Sequence, residues 1–486
     1  MKKTLKLIAA LALVASMVLS MASCDALTNF INGLTGKAPE VAAQGVDTEN
    51  HVIHVGNTAA TSGAFAAVGV PFNYAQEAYF WYFTNHTDGY KDADGNKYTI
   101  KMHHYDDGFD GVKGKTYTQK LVEEDKVFAL VGHFGSNTVG ATVDYIEEQE
   151  IPMVYGVCGV SDLYNTERNI MTVQPIYDTE GQSMVATAFA SVEAGGLGAT
   201  KLGVISTTDE AGMGMLNGIK IEVAKLGKGG STVYQAVAAD ATDYSGAVTA
   251  LKSAGCDVVI IAANQAPFVN IANTFVKVSY ENVKILTSYV SANAATMGGL
   301  VLTGAINATR EVYAGAWLVT GAVPAPEFKG WNDFVEYVKI MTMYDKAHGV
   351  DLLPNYMLPS GYKDAEGNDI MYDLLSVYFG TEDWFVEAGG VSAYFLNSYA
   401  MAGYVSGHVF CQGLSRMSGK TLTWDAYIAA METAPVNVPM GQSVSYADGQ
   451  RVGIDSLALN KYTVLNYSGE LYRGITDLKT LEDACK

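Results

Sequence analysis

Ser136 is the first residue whose type and position suit holding a charged partner. It follows the apolar run Val127-Phe128-Ala129-Leu130-Val131-Gly132 and precedes a segment of helical spacing over 138–148. That placement predicts an N-cap, with the amides of Asn137 and Thr138 left free. Free N–H groups and the helix dipole together hold an anion such as a carboxylate. A serine that does no more than cap its helix fits the same pattern. Phe134 and Gly135 would line the same loop, and Phe65, after Ser62-Gly63, could close over a ligand from another loop. Asn264 and Gln265, just past the apolar run at 257–262, are further polar candidates. Bond-making chemistry is poorly represented. The chain has no Gly-x-Ser-x-Gly elbow, no His-Glu-x-x-His motif and no Gly-x-x-x-x-Gly-Lys-Ser/Thr phosphate loop. His51 and His54, or His103 and His104 with Asp106 and Asp107, suggest a metal at first sight. Strand alternation puts sequence neighbours on opposite faces, so no metal site is expected. No catalytic residue and no cofactor are expected either.

The elements that would position these groups alternate. Strand-like runs at 51–56, 98–105, 127–132 and 151–154 are separated by helical spacing at 71–83, 116–124 and 138–148. The alternation restarts after residue 200, with strands at 202–206, 233–237, 257–262 and 283–287 between helices at 212–226, 244–254 and 267–278. Strands and helices in this order imply βαβ units and a parallel sheet, here twice over. Residues 171–177, with Pro175, read as an extended crossover between the two halves. The last third is less regular, with helical runs at 331–347, 394–414 and 424–432.

The amino terminus carries its own chemistry. Lys2, Lys3 and Lys6 lead into an apolar run over 7–19, then Ser20-Met21-Ala22-Ser23-Cys24. A basic start, a short apolar segment and small residues before a cleavage point describe an export signal. The cysteine after Met21-Ala22-Ser23 looks like a bacterial lipobox, which implies lipidation of Cys24 and membrane anchoring from outside the cytoplasm. An ordinary signal peptide followed by a chance cysteine is the alternative. The apolar run is shorter than the ~20 residues of a membrane span. The full chain of 486 residues has a formal charge of −20, about −23 once the signal's lysines leave. Such acidity argues against nucleic acid as a partner. Cys158, Cys256, Cys411 and Cys485 form no Cys-x-x-Cys pair, and the first three sit among apolar or small residues, as buried thiols do.

Gly56, Ser62-Gly63 and Gly69, the run Tyr105-Asp106-Asp107-Gly108-Phe109-Asp110, the segment from Leu121-Val122 through Gly132 to Ser136, and Ile151-Pro152 follow one another in a characteristic order. Together they resemble the type I periplasmic binding proteins, the leucine/isoleucine/valine-binding group, over roughly residues 50–460. The Ala447-Asp448-Gly449 turn resembles that family's last hairpin. The resemblance implies an α/β fold of two doubly wound Rossmann-like lobes with hinge crossovers, here with an extra, mostly helical insertion in the C-terminal third. The expected organisation is a signal over 1–23 and a flexible tether over 24–49. Lobe 1 would comprise 50–173 and 316–455, with the insertion at about 330–390. Lobe 2 would comprise 174–315 and 456–486. The function implied is a lipid-anchored, monomeric substrate-binding protein of an ABC importer, with a small solute and a membrane permease as partners. A ligand-sensing receptor subunit of the same fold, or less readily an exported enzyme, are the alternatives.

The resemblance also implies site residues. The family uses the serine matching Ser136 for the ligand's carboxylate. Amino-acid binders place a threonine near Gly159, where this chain has no hydroxyl. Cys158 and Gly159 still offer backbone groups and Ser161 an alternative hydroxyl, though Cys158 also reads as a packed apolar residue. After Ser288, amino-acid binders carry an acid for the ligand's ammonium, and this chain has Tyr289. A phenol carries no full charge at neutral pH. Asp209 or Glu210 would have to restore a cation partner, unless both are solvated loop charges. The expected solute is amino-acid-like, an amide or a carboxylate, and Tyr289, Phe65 and Phe134 also suit a planar one.

Overall fold

The computed structural model describes residues 41–164, 169–292, 294–318, 330–462, 473–474 and 479–480. The export signal, Cys24, Cys485 and most of the expected tether lie outside the described residues.

The first sheet is built on β2 (Val52–Ala59), which pairs in parallel with β3 (Thr99–Asp106) on one side and β4 (Ala129–Phe134) on the other. β5 (Met153–Val157) and β6 (Ile170–Met171) extend it, and a short β1 (Val46–Asp47) pairs antiparallel with the start of β2. All six residues of β4 are buried, as expected of a central parallel strand covered on both faces. The connecting helices are α1 (Ala66–His86), α2 (Gly111–Glu123) and α3 (Ser136–Glu148). Asp110 caps α2, its carboxylate accepting the Val112 and Lys113 amides at 2.9 and 3.0 Å.

The second sheet repeats the plan. β7 (Leu202–Thr207) lies between β8 (Thr232–Val237) and β9 (Val258–Ala262), and β10 (Lys284–Thr287) and β11 (Val312–Ala316) follow in parallel. Its helices are α4 (Tyr177–Phe189), α5 (Glu210–Lys225), α6 (Ser245–Ala254), α7 (Gln265–Lys277) and α8 (Ala294–Leu302). Each half thus places its first strand between its second and third. The order reverses there, and ligands bind at such reversals, beyond the carboxyl ends of the strands.

The chain then returns to the first half. α9 (Trp331–Ala347) leads to a hairpin, β12 (Met357–Lys363) and β13 (Asp369–Asp373), and to two short helices, α10 (Leu374–Phe379) and α11 (Asp383–Ala388). The long α12 (Ser398–Met417) and α13 (Trp424–Glu432) come next. Phe334, Tyr337, Tyr404, Phe410 and Tyr427 share one apolar core with Phe72, Phe80 and Phe128 of the first half. Finally β14 (Ser456–Tyr462) joins the second sheet antiparallel to β11, with two-residue strands β15 (Arg473–Gly474) and β16 (Lys479–Thr480) against it.

Crossing points between the halves lie side by side. Thr172 donates its amide to Arg451 (3.1 Å) and Ile454 donates to Val173 (2.9 Å). This pairing alters one expectation. Ala447-Asp448-Gly449 is a 3-10 turn, with Asp448 at φ 56°. The chain after it pairs with the crossover at 172–173 and does not return as a hairpin strand. Cys158, Cys256 and Cys411 are buried free thiols. Among the described residues, no helix is long and apolar enough to cross a membrane.

Candidate functional site

Two acidic residues, Asp106 at the end of β3 and Asp107 just after it, organise one wall of the space between the halves. Asp106 accepts the amides of Thr61 (2.9 Å) and Gly108 (3.1 Å). Asp107, fully buried, accepts the hydroxyls of Thr58 (2.9 Å) and Thr138 (2.7 Å) and the amide of Phe109 (2.8 Å). Burial raises its pKa, partly opposed by those bonds. The two carboxylates therefore fix the loop carrying Phe65, the loop carrying Phe109 and the start of α3. Phe65 and Phe109 stack with centroids 4.3 Å apart.

Ser136 is not the N-cap. Gly135 holds that place at φ 98°, and the helix begins at Ser136 itself. A Cβ on Gly135 would lie 2.6 Å from the Phe109 ring, so both conformation and space favour glycine. The amides of Ser136, Asn137 and Thr138 still have no acceptor within the helix. The Ser136 side chain turns to the other half of the molecule, where its Oγ lies 3.3 Å from the Tyr177 hydroxyl.

The cavity at this point is a partly open cleft with about 740 Å³ of free space, open solvent included. Seven of the residues expected from sequence line it: Phe65, Phe134, Gly135 and Ser136 from the first half, and Asn264, Gln265 and Tyr289 from the second. Three do not. Cys158 is fully buried behind Ser136, its thiol pushed up to about 11 by that burial. Gly159 accepts the Tyr177 amide at 2.6 Å, and a Cβ there would strike the Tyr177 ring. The Tyr177 ring thus occupies the space that a side chain at Gly159 would fill. Asp209 caps α5 through Gly212 (3.1 Å) and accepts from Thr207 (2.6 Å) and from the amide of Asn264 (3.3 Å). It stands behind Asn264 as a positioning residue and is not among the residues that line the cleft. Glu210 is exposed against Gly140 of α3.

Sequence reasoning missed several lining groups. Tyr177 and Gln174 belong to the crossover, and their reach into the cleft was not legible from an extended Pro-containing segment. Tyr155 donates to Gln174 (2.7 Å), Gln174 donates to Tyr289 (3.1 Å), and Tyr289 donates to the Pro175 carbonyl (2.7 Å). Burial holds the Tyr289 phenol far above its ordinary pKa, so it is a neutral group. Trp317, Ser398, Tyr399 and Ala402 come from the returning chain. Asn397, which caps α12 through the Tyr399 and Ala400 amides (both 3.0 Å), was the available signal for where that helix opens. Tyr399 also spans the cleft, donating to the Val290 carbonyl at 3.2 Å. A second, partly open cavity is confined to the second half beneath α4, with Glu180, Met184, Leu286 and Gly315 in its walls.

Two sheets of the same order, a cleft at their carboxyl ends and side-by-side crossovers coincide with a match to the periplasmic binding protein family over residues 52–326. The chain belongs to the periplasmic binding protein family. Over 161 residues, 33% of this chain, it is 27% identical to an amino acid binding protein of Pseudomonas aeruginosa, and the match spans 41% of that protein's length. Solved structures share the fold at lower identity. A fatty acid ABC transporter substrate-binding protein from Thermomonospora curvata superposes with a TM-score of 0.65 at 15% identity, covering 92% of this chain and 96% of that one. A solute binding protein of an ABC transporter from Rhodopseudomonas palustris HaA2, in complex with p-hydroxybenzoic acid, gives 0.60 at 16% identity, covering 88% and 97%. In this periplasmic binding protein the two lobes already touch through Ser136–Tyr177 and Tyr399–Val290.

Proposed function

We propose that this periplasmic binding protein is the extracytoplasmic substrate-binding component of an ABC importer, tethered to the membrane by lipidated Cys24. The observation that carries this reading is the cleft itself, whose walls come from both lobes and meet at the strand carboxyl ends. A solute held there stabilises the lobes against separation, and separation releases it unchanged to a permease. The proposed chain organisation remains a signal over 1–23 and a tether over 24–49, with lobe 1 at 50–173 and 316–455 and lobe 2 at 174–315 and 456–486.

Thermal unfolding of the purified protein across a panel of small extracellular solutes tests the reading. A solute bound at 100 times its Kd adds about 2.7 kcal/mol to stability. It should be recovered chemically intact after incubation; conversion of the bound solute would make the protein an enzyme. A Cys24→Ala variant is expected to leave the membrane fraction while keeping the same solute affinity. Retention in the membrane fraction would reject the anchor.

A further inference from the structure

The charge of the cleft walls narrows the class of solute, given the binding role proposed above. Among the described residues, 17 line the cleft; none of these is Asp, Glu, Lys, Arg or His, and seven are aromatic. Acidic residues of the second lobe near these walls do not line the cleft, and Asp178, next to Tyr177, accepts the Asn217 side-chain amide. Asp209 is spent on the α5 cap, Thr207 and Asn264. Glu180 is fully buried behind the Tyr289 loop, where it accepts the Ser288 hydroxyl and the Tyr289 amide, each at 2.8 Å. Glu210 is exposed on α5, and its carboxylate lies beside Gly140. An ammonium group enclosed by this cleft would lose its water and meet no opposite charge among the described lining residues, which is a heavy cost.

The neutral polar groups have a direction of their own. Asn264 turns its amide nitrogen to Asp209, and Gln265 turns its nitrogen to Thr296. Their oxygens face no hydrogen-bond partner among the described residues, so the second lobe offers neutral acceptors. Between the lobes stand Phe65 stacked on Phe109, Phe134 edge-on to Phe72 (5.2 Å), Trp317 and the phenols of Tyr177 and Tyr289. Flat apolar walls of this kind favour an aromatic ring over a branched aliphatic chain. We infer that the cleft selects a small aromatic solute bearing no ammonium group, and that Gln265 sits where a counter-charge would reverse that choice.

Matched pairs isolate the ammonium. Calorimetric titration of the purified protein would compare 3-phenylpropanoate and its neutral amide with phenylalanine, and 4-methylpentanoate with leucine. The better of the two phenylpropanoyl compounds is expected to bind about 100-fold or more tighter than phenylalanine, and tighter than 4-methylpentanoate. In Gln265→Glu, which keeps the side-chain shape, the preference over phenylalanine should fall at least tenfold. Phe65→Ala should weaken the aromatic compound more than the aliphatic acid. Phenylalanine or leucine binding as tightly as its ammonium-free partner would overturn the inference while leaving the cleft a binding site. Binding of none of these probes would also overturn it. If the broad panel then yields no ligand either, the binding role falls as well.

Discussion

Replacing Glu180 by glutamine is expected to stabilise the protein at pH 8 by about 3 kcal/mol and to change little near pH 4.5. Glu180 lies on α4, fully buried, with two hydrogen-bond donors and, among the described residues, no ion pair. Desolvation raises its pKa from 4.5 to about 7, and the Tyr289 amide and Ser288 hydroxyl offset only part of that. Between pH 4.5 and 7 the native state therefore binds more protons than the unfolded chain. Stability falls as pH rises through that window and is level above it. The interval from 4.5 to about 7 is worth about 3 kcal/mol. Glutamine carries no charge to bury, and it keeps an oxygen for the Tyr289 amide and a nitrogen for Ser288 Oγ. Chemical denaturation of both proteins from pH 4.5 to 8.5 checks this. Parallel curves over that range would show that Glu180 is not the group that titrates. A variant less stable than the parent at pH 8 would show that the carboxylate's hydrogen bonds outweigh its desolvation.

Much of this architecture is visible in the residue pattern, for a physical reason. Strands buried on both faces must be apolar throughout, as in Val258–Ala262, where every residue is buried. Such runs stand out against the helices between them. The loops just past the strand ends follow directly, so Phe134, Gly135, Ser136, Asn264 and Gln265 could be named in advance, and the family resemblance pointed to Tyr289. Cap geometry was harder to read. Ser136 has the chemistry of an N-cap, yet the Phe109 ring beside Gly135 decided the helix start. Charge was misleading at Asp209, because a carboxylate on a loop near a cleft has the same local signature whether it faces a ligand or caps a helix. Trp317, Ser398, Tyr399 and Ala402 were beyond reach for a different cause. Trp317 enters directly after β11, and the other three enter only because a helix more than 300 residues distant in sequence from α1 lies against it.

That packing depends on the absence of a side chain at one position. A Cβ on Gly403 of α12 would lie 1.9 Å from the Phe72 carbonyl oxygen of α1, and one on Gly407, a turn later, 3.0 Å from the Tyr79 Cβ. The two backbones meet closely, beside Gln76, whose amide reaches Ser406 Oγ at 2.8 Å and the Val131 carbonyl at 2.9 Å. Gly403→Ala is expected to cost about 3 kcal/mol, at the upper end for overpacking, because the obstacle is backbone and cannot turn aside. Gly246→Ala supplies the contrast. Gly246 lies in α6 with open space where its Cβ would be, so alanine there should stabilise by roughly 0.5 kcal/mol. Denaturant midpoints of the two variants should therefore move in opposite directions. Solute affinity should fall only in Gly403→Ala, since Ser398, Tyr399 and Ala402 ride on the displaced helix. A cost below about 1 kcal/mol with unchanged affinity would mean that α12 can back away from α1 without disturbing the cleft, and the contact would then not be what positions this wall.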